Sequence, residues 1–472
     1  MKKMKKLLIV LPAAMMIFII SCKKDFLDLS PYDQVPTDQA ITDEAGMQAA
    51  ANGMYAQLRS VNLYGRSLPL YGDIMADNAF ISTQNSNRYL AQLNYTYISS
   101  NADIQGTWGS AYNGILRANN IINSNVPSTA NSNQLKGEAL TVRALMYFNL
   151  INFFAKQYTV DPNAPGVPLV LTYNPMLKPS RNTVTEVYTQ MDKDLTDAFG
   201  LMTSTTKNSS YVLKYVARAI QARVALFKGD WNAAKTLALD VVTNGGYTLT
   251  PSTNLINYWK NPAPVTNKVE TIFEVTSDAV NNNGTNSLPY FYDQTGYGDA
   301  LASDDLYNKY TATDVRQGWY VTGTRASQTV HIVNKYSNTN NAADKDDTKV
   351  IRYAEVILTL AEAYYRTNDE TNARLYLNMV AKQRDPSFAG YISTGTQLLD
   401  DIILERRKEL AFEGMRYLDL LRLNQDVVRV NINNNYVGIT PLTLPVSNFR
   451  RIFPIPQNEI DANPNIGQNN GY

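Results

Sequence analysis

The chain has 472 residues, of which 44% are hydrophobic, so it can form two or three domains or one large repeat-like domain. Its formal net charge is +1, and a body this close to neutral argues against nucleic acid as a partner, since phosphate binding needs clustered positive charge. A single cysteine, Cys22, and a single histidine, His331, exclude an internal disulfide scaffold and a zinc site built from cysteine and histidine. His331 lies in residues 328–333, where polar and apolar side chains alternate as in a strand. This pattern favours a structural histidine over a catalytic one.

The first residues of the chain are typical of a targeting signal. Four lysines precede an apolar run over residues 7–20, which is shorter than the roughly 20 residues of a membrane-spanning helix. The run ends in Ile-Ile-Ser-Cys, which resembles a bacterial lipobox, where the cysteine is acylated and becomes the mature N-terminus. We therefore predict a signal peptide over residues 1–21, lipidation at Cys22 and a lipidated tether over residues 22–45 that inserts acyl chains into a membrane. The alternative is an ordinary signal peptide with an incidental cysteine.

Helical patterns separated by turn signals predict a mainly α body over residues 46–472, with an N-terminal helical part to about residue 245 and a C-terminal part over about 246–472. Thr183 and Glu186 have capping-box spacing at the start of one helix. Two helix–turn–helix units have about the length of a tetratricopeptide unit, which predicts stacked helical pairs. The predicted helices include 46–58, an amphipathic helix over 136–156, the unit 215–227 with 233–243, and the unit 350–366 with 371–384.

Long polar segments interrupt the helical pattern. Residues 60–107 are rich in Asn, Ser and Tyr, residues 245–349 mix short strand-like runs such as 271–276 with loops, and residues 424–472 contain five prolines. We expect these segments to form loop-rich excursions with a few short strands. Loops held on a rigid scaffold are where binding residues usually lie.

The stretch 397–422 has apolar residues at roughly helical spacing and predicts one helix, with Thr396 as its N-cap. Its crowded charges are interpreted as i,i+3 ion pairs on a helix face, worth about 0.2–0.5 kcal/mol each. Gly414 indicates close packing or a break, because a glycine inside a helix costs about 1 kcal/mol relative to alanine. The expected pairs are Glu405 with Lys408, Arg406 with Glu409, and Glu413 with Arg416.

The sequence ERRKELAFEGMRYLDLLR within this stretch resembles the C-terminal signature of the SusD/RagB family of Bacteroidetes, and the ending from Phe453 to Tyr472 is similar to that family's ending. The helical segments that begin at Trp108 and Gly137, and the Gly-Val-Pro-Leu run at Gly166, resemble family segments in the same order. The resemblance implies a tetratricopeptide-like helical core in a lipid-anchored outer-membrane protein that faces the cell exterior. It also implies capture of a nutrient, usually a glycan, for a SusC-like TonB-dependent transporter. Peptide capture, as in RagB-type members, is the runner-up.

A surface glycoside hydrolase is the rival from another functional class, and we predict no enzymatic activity. Glycosidases need two carboxylates flanking a cleft, whereas Glu405 and Glu409 project from one charged helix. No cofactor is expected. The acidic loop 344–347 could bind calcium, but the DxDxDG pattern is absent and a solvated loop is the favoured interpretation. A tetratricopeptide adaptor is a third possibility, against which the lipobox and the aromatic loops argue.

Sugar binding needs an aromatic platform together with side chains that form hydrogen bonds, and two loops supply both. In the SusD/RagB family the ligand residues come from variable loops, so none can be carried over and our choices rest on chemistry alone. Each chosen residue has a structural loop role as its alternative. The candidates are Asp77, Asn78, Arg88 and Tyr89 in the first loop, and Tyr290, Tyr292 and Tyr297 in the second.

Overall fold

The computed structural model describes residues 41–205, 207–434, 436 and 438–472. Within these residues the chain forms sixteen α-helices and eight short strands, which confirms the prediction of a mainly α fold. The predicted signal peptide, Cys22 and most of the predicted tether lie outside the described residues. Among the helices of the described part, none is both long enough and apolar enough to cross a membrane.

The helices are α1 Glu44–Leu58, α2 Ser67–Ile74, α3 Leu90–Leu93, α4 Ala102–Ile122, α5 Ala130–Phe154, α6 Val184–Leu201, α7 Lys214–Lys228, α8 Trp231–Asn244, α9 Leu255–Lys260, α10 Leu288–Tyr292, α11 Asp304–Tyr307, α12 Tyr353–Arg366, α13 Glu370–Arg384, α14 Gly395–Glu409, α15 Arg416–Arg422 and α16 Gln457–Ala462. The strands are β1 Ala79–Ile81, β2 Thr271–Val275, β3 Ala300–Ala302, β4 Tyr320–Arg325, β5 Gln328–Val333, β6 Thr348–Arg352, β7 Val427–Val428 and β8 Thr443–Leu444.

The long helices form one continuous stack. Helix α1 packs on α4, and α4 to α8 each pack on the next helix along the chain. Helix α8 packs on α12, which also contacts α13 and α14, so the chain segment between α8 and α12 leaves the stack and returns to it. Because each helix buries its apolar face on its neighbours, the stack forms the predicted tetratricopeptide-like scaffold.

Both predicted helix–turn–helix units are confirmed. Helix α7 is capped at its C-terminus by Gly229, whose φ of +77° lies in the left-handed region that glycine adopts without strain. The next residue, Asp230, caps α8 by accepting a hydrogen bond from the N–H of Ala233 at 3.1 Å. Asn368 and Asp369 repeat this arrangement between α12 and α13, with a left-handed residue followed by an aspartate cap.

Helix α5 is the centre of the N-terminal half. An amphipathic helix over 136–156 would expose one face to solvent. Residues 137–154 are all buried, so that part of the prediction is wrong. Helices α1, α4, α6 and α7 all contact α5, which leaves it no solvent face. A Cβ on Gly137 would lie 2.4 Å from Cγ of Met202, so this close packing needs a glycine.

The strands form small antiparallel sheets beside the stack. The largest has the order β1-β3-β5-β4, and β2 pairs with β6. The strand-like run at His331 is confirmed as β5, where His331 is the partner of Ala302 in β3 and of Thr322 in β4. The run at 271–276 is confirmed as β2.

The signature stretch is two helices rather than one. Helix α14 ends at Glu409, α15 begins at Arg416, and the N-cap of α14 is Thr394 rather than Thr396. Phe412 and Gly414 lie between the two helices and have φ of +65° and +84°, respectively. Asp73 at the end of α2 accepts hydrogen bonds from the N–H groups of both residues at 3.0 Å, so the break is held by a carboxylate from a distant segment.

Most of the charges of the signature stretch from Glu405 onward are buried. Only the pair of Glu405 with Lys408 forms as predicted, at 3.3 Å, whereas Arg406 pairs with Asp419 at 2.8 Å and Arg416 pairs with Asp77 at 2.7 Å. Glu409 is fully buried and contacts three arginines at 2.9–3.0 Å from β6, α13 and the turn before β4. Buried charges require partners of opposite sign, and here other elements of the fold supply them. The three arginines are Arg316, Arg352 and Arg384.

Candidate functional site

A cleft of about 170 Å³ lies between two loops of the C-terminal half. We call it the tyrosine cleft, because Tyr290 forms one of its walls. This volume is below the roughly 300–1,000 Å³ of typical small-molecule sites, so the cleft holds only part of an oligosaccharide. Its lining residues are Ser277, Asn282, Gly284, Thr285, Ser287, Pro289, Tyr290, Thr339, Lys345 and Asp346.

The first wall is a loop that is closed by its own side chains. The carboxylate of Asp278 accepts hydrogen bonds from the N–H groups of Val280 and Asn281 at 2.7 and 2.6 Å, which is an Asx turn. Asn282 donates to the carbonyl of Asp278 at 2.8 Å. Helix α10 then begins with Leu288 and Pro289. It buries every side chain but that of Tyr290, which is half-exposed at the cleft.

The second wall is the loop 337–347. The ammonium group of Lys345 donates to the carbonyls of Thr339 and Asn341 at 2.9 and 2.6 Å and so fixes the loop. A backbone bridge between Asp278 and Asp344 holds the two walls side by side. Burial raises the pKa of Asp346, at the base of the cleft, to about 7, although it accepts a hydrogen bond from the N–H of Asn338 at 2.8 Å.

Several hydroxyl groups of the tyrosine cleft are available to a ligand. Within the described part of the chain, the hydroxyls of Thr285, Ser287 and Tyr290 have no hydrogen-bond partner. The hydroxyl of Thr339 is buried and also has no partner, and a buried hydroxyl without one costs free energy. The lining of the tyrosine cleft thus contains four hydroxyl groups without a partner, one of them on the ring of Tyr290 itself, and a hydroxyl can both donate and accept.

An aromatic patch adjoins the tyrosine cleft through Tyr290. The ring of Tyr290 packs edge-on against that of Tyr297, with centroids 5.3 Å apart, and the guanidinium of Arg88 lies 4.2 Å from the Tyr297 centroid. All three side chains are half-exposed. We call Arg88, Tyr290 and Tyr297 the aromatic patch. The structure therefore brings together three of the seven predicted ligand-binding residues from two distant loops.

Arg325, at the end of β4, braces the aromatic patch. Its guanidinium donates to the carbonyl of Tyr297 at 2.7 Å, to the side chain of Gln294 at 3.1 Å and to the carbonyl of Gln84 at 2.9 Å. One side chain therefore connects the loop that carries Arg88 to the loop that carries Tyr297. Sequence reasoning missed Arg325, because an arginine at a hairpin end carries no signal of which loops it will contact.

Tyr292 does not lie at the surface, so its assignment to an exposed platform is wrong. It is fully buried, with its ring stacked on Tyr336 at 5.8 Å and packed edge-on against Phe412 at 5.6 Å. It shares the short helix α10 with Tyr290, and the helical turn directs the two side chains to opposite sides. Truncation of Tyr292 is therefore expected to lower the stability of the fold.

Three residues of the first loop are also structural. Tyr89 is 3% exposed, and its hydroxyl oxygen lies 2.7 Å from Nε of Arg66 and from the hydroxyl of Ser67. Asp77 and Asn78 are buried as well, against arginines of the signature stretch. Burial alone would raise the pKa of Asp77, but two guanidinium groups outweigh it and hold that pKa below its usual range. The buried positions exclude these three residues from an exposed platform.

The carboxylates of Glu405 and Glu409 do not flank a cleft, since both are fully buried against arginines. Burial alone would raise the pKa of Glu409, but the arginines outweigh it and keep the group ionised, which does not suit a general acid. In the described ranges, no group of three or more His, Cys, Asp and Glu side chains is arranged to hold a metal ion. Asp347 of the acidic loop pairs with Lys268 at 2.6 Å.

Comparison with known sequences matches two family models to separate parts of the chain. The model of the SusD family matches residues 275–472, and a SusD-like model described as starch-binding and associating with the outer membrane matches residues 25–227. A SusD-like protein of Formosa agariphila is 25% identical, with all of both chains covered. A SusD-like protein of Bacteroides ovatus is 23% identical, with 92% of this chain and 86% of the relative covered.

Solved structures show the same fold. A SusD superfamily protein of Bacteroides thetaiotaomicron has a TM-score of 0.82 at 29% identity, with 91% of this chain and 100% of that chain covered. Surface glycan-binding protein A of the same species, solved in complex with laminarihexaose, has a TM-score of 0.71 at 21% identity over 91% of this chain and 100% of that chain. The two family models, the full-length relatives and the shared fold agree with the signature motifs, and the chain belongs to the SusD/RagB family.

Proposed function

We propose that this protein is a surface binding protein that captures a neutral oligosaccharide at the tyrosine cleft and the aromatic patch. The observation that carries the proposal is the presence of four unpartnered hydroxyl groups in the lining of one cleft, one of them on the half-exposed ring of Tyr290. Sugars present apolar C–H faces that pack on aromatic rings and hydroxyl rims that exchange hydrogen bonds. The laminarihexaose bound by a protein of the same fold supports a glycan as the ligand.

The proposal extends to location and partner. Lipidation at Cys22 anchors the body to the outer membrane, and the family model described as associating with the outer membrane supports this placement. A SusC-like TonB-dependent transporter receives the ligand, as the family resemblance implies. Co-purification tests the partnership, with the transporter from the same genetic locus co-expressed and its recovery compared with that of a transporter from an unrelated locus.

The binding test compares three tyrosine variants of the purified protein by calorimetry on a panel of neutral oligosaccharides that includes laminarihexaose. Tyr290→Ala and Tyr297→Ala each remove one ring of the aromatic patch, and we expect about tenfold weaker binding, equal to about 1.4 kcal/mol. Tyr173→Ala is the matched control, because Tyr173 is 60% exposed but lies on a loop outside the cleft. Equal affinity for all three variants, or saturable binding of a peptide panel in place of the sugars, contradicts the proposal.

A further inference from the structure

A second cavity, of about 380 Å³, lies between the chain after α5 and the C-terminal segment. It shares no lining residue with the tyrosine cleft. We call it the arginine cavity. Its lining residues are Lys156, Gln157, Val160, Asp161, Ala164, Pro165, Arg181, Leu421, Asn424, Val446, Ser447, Asn448, Phe449, Arg451, Ile452, Gln468, Asn469 and Asn470. A volume of this size is in the range of small-molecule sites.

The lining of the arginine cavity carries an excess of positive charge. Three cations, Lys156, Arg181 and Arg451, face a single carboxylate, that of Asp161. Asp161 lies 3.5 Å from Lys156, and both side chains of this pair are substantially exposed. Across the described residues, neither Arg181 nor Arg451 has a carboxylate within ion-pair distance, and Asp426 acts on Arg451 only from farther away.

Arg181 is held in place by neutral groups. Its guanidinium donates to the carbonyls of Gly166 at 2.6 Å, Pro165 at 2.7 Å and Gly467 at 3.2 Å. Carbonyl dipoles orient a guanidinium but leave its net charge in place. Burial lowers the pKa of Arg181 to about 10, which shows that the surroundings disfavour the uncompensated charge.

Arg451 has a donor without a partner. The side chain is 7% exposed, Nη2 donates to the carbonyl of Leu420 at 3.3 Å, and Nη1 makes no hydrogen bond. Burial also lowers the pKa of Arg451. The buried arginines around Glu409 differ, because Arg316, Arg352 and Arg384 each contact carboxylates directly. A buried cation without a counter-charge is unfavourable, and a bound anion would relieve it.

The rim of the arginine cavity is suited to a sugar ring. Phe449 and Val446, which are 40% and 43% exposed, present apolar surface at the mouth. The amide side chains of Asn424 and Asn470 lie in the same lining. We propose that the arginine cavity is a second ligand site that binds a sugar bearing an oxyanion, either the carboxylate of a uronic acid or a sulfate ester. Guanidinium groups bind both oxyanions through charge-assisted hydrogen bonds.

Calorimetry on the purified full-length chain in detergent tests the site with glucuronic acid, glucose 6-sulfate and glucose. We expect one or both acidic sugars to bind, glucose not to bind at this site, and raised salt to weaken the binding. Arg181→Gln is expected to weaken it about tenfold or more. Arg117→Gln, a substitution of an exposed arginine on α4 that lines neither cavity, is the matched control and should leave it unchanged. Binding of only one acidic sugar identifies the oxyanion.

The proposal is overturned if glucose and the acidic sugars bind with equal affinity or if no acidic sugar binds. It is also overturned if Arg117→Gln loses binding while Arg181→Gln does not. Thermal unfolding checks that Arg181→Gln is folded. If it is not, Lys156→Gln takes its place, since Lys156 is 56% exposed and pairs only with Asp161 in the described structure. A weakening of about threefold or more is then expected, and unchanged affinity overturns the proposal. The two cavities share no residue. The acidic-sugar proposal can therefore fail while the neutral-sugar proposal holds, and the neutral-sugar proposal can fail while the acidic-sugar proposal holds.

Discussion

Substitution of Gly414 tests whether the break in the signature stretch is a structural requirement. Gly414 has φ of +84°, and a Cβ at this position would lie 2.6 Å from Cα of Pro69 in α2. The left-handed conformation costs an L-residue about 1–2 kcal/mol. Overpacking against backbone adds about 1–3 kcal/mol, because backbone cannot move aside as a flexible side chain can. Gly414→Ala should therefore lower the free energy of unfolding by about 2–5 kcal/mol.

Gly109 provides the matched control for this experiment. It lies inside α4, and a Cβ there would meet nothing within 4 Å. Gly109→Ala should raise the free energy of unfolding by about 0.5–1 kcal/mol, because alanine loses less backbone entropy in a helix. Urea unfolding followed by circular dichroism measures both variants. Equal shifts for the two variants, or a stable Gly414→Ala protein, would refute the argument from the left-handed conformation and the contact with α2.

Three further predictions concern pH, anchoring and catalysis. Because burial raises the pKa of Asp346 from 3.8 to about 7, the folded state binds a proton more tightly than the unfolded state, so the free energy of unfolding should fall as pH rises between these values. Asp346→Asn should make that fall smaller, because buried Asp73, whose pKa is raised to about 6, contributes to it as well, and urea unfolding at a series of pH values checks it. Cys22→Ala should release the protein from the membrane fraction, whereas an unmodified Cys22 in the native protein, detected by mass spectrometry, would contradict lipidation. Oligosaccharide and peptide panels should yield no products, and a turnover that survives repurification would be evidence for an enzyme.

The sequence predicts the scaffold well because local signals agree with the tertiary packing. Gly229 and Asp230 both favour a turn, and the helices on either side have apolar faces that need a partner. The signature stretch shows the limit of such reasoning. Its helical spacing continues through Gly414, but Asp73 binds the N–H groups of Phe412 and Gly414 and ends the helix. Asp73 lies more than 300 residues earlier, and no local pattern reports that contact.

The candidate site was less predictable for a related reason. Composition correctly indicates loops that contain aromatic and polar residues, but it does not tell which side chains face solvent. Tyr290 and Tyr292 are two residues apart in one short helix, and only the packing of Phe412 and Tyr336 decides that Tyr292 is buried. The wall formed by Lys345 has no sequence signal at all, because only long-range contacts place it beside the loop that carries Asp278. These include the bridge of Asp278 with Asp344 and the hydrogen bond from the N–H of Ser277 to Asp347 at 2.8 Å.

The signature stretch and the ligand loops are linked through the base of the first loop. Arg407 donates to Asn78 at 3.0 Å, and Arg416 binds Asp77 through two hydrogen bonds at 2.7 and 2.8 Å. These contacts fix the start of the segment that carries Arg88, and Asp73 fixes the break itself. The signature residues thus hold the loop without contacting the aromatic patch. Mutations of the signature residues should therefore change ligand affinity only together with the stability of the fold. Mutations of Tyr290 or Tyr297 should change ligand affinity alone.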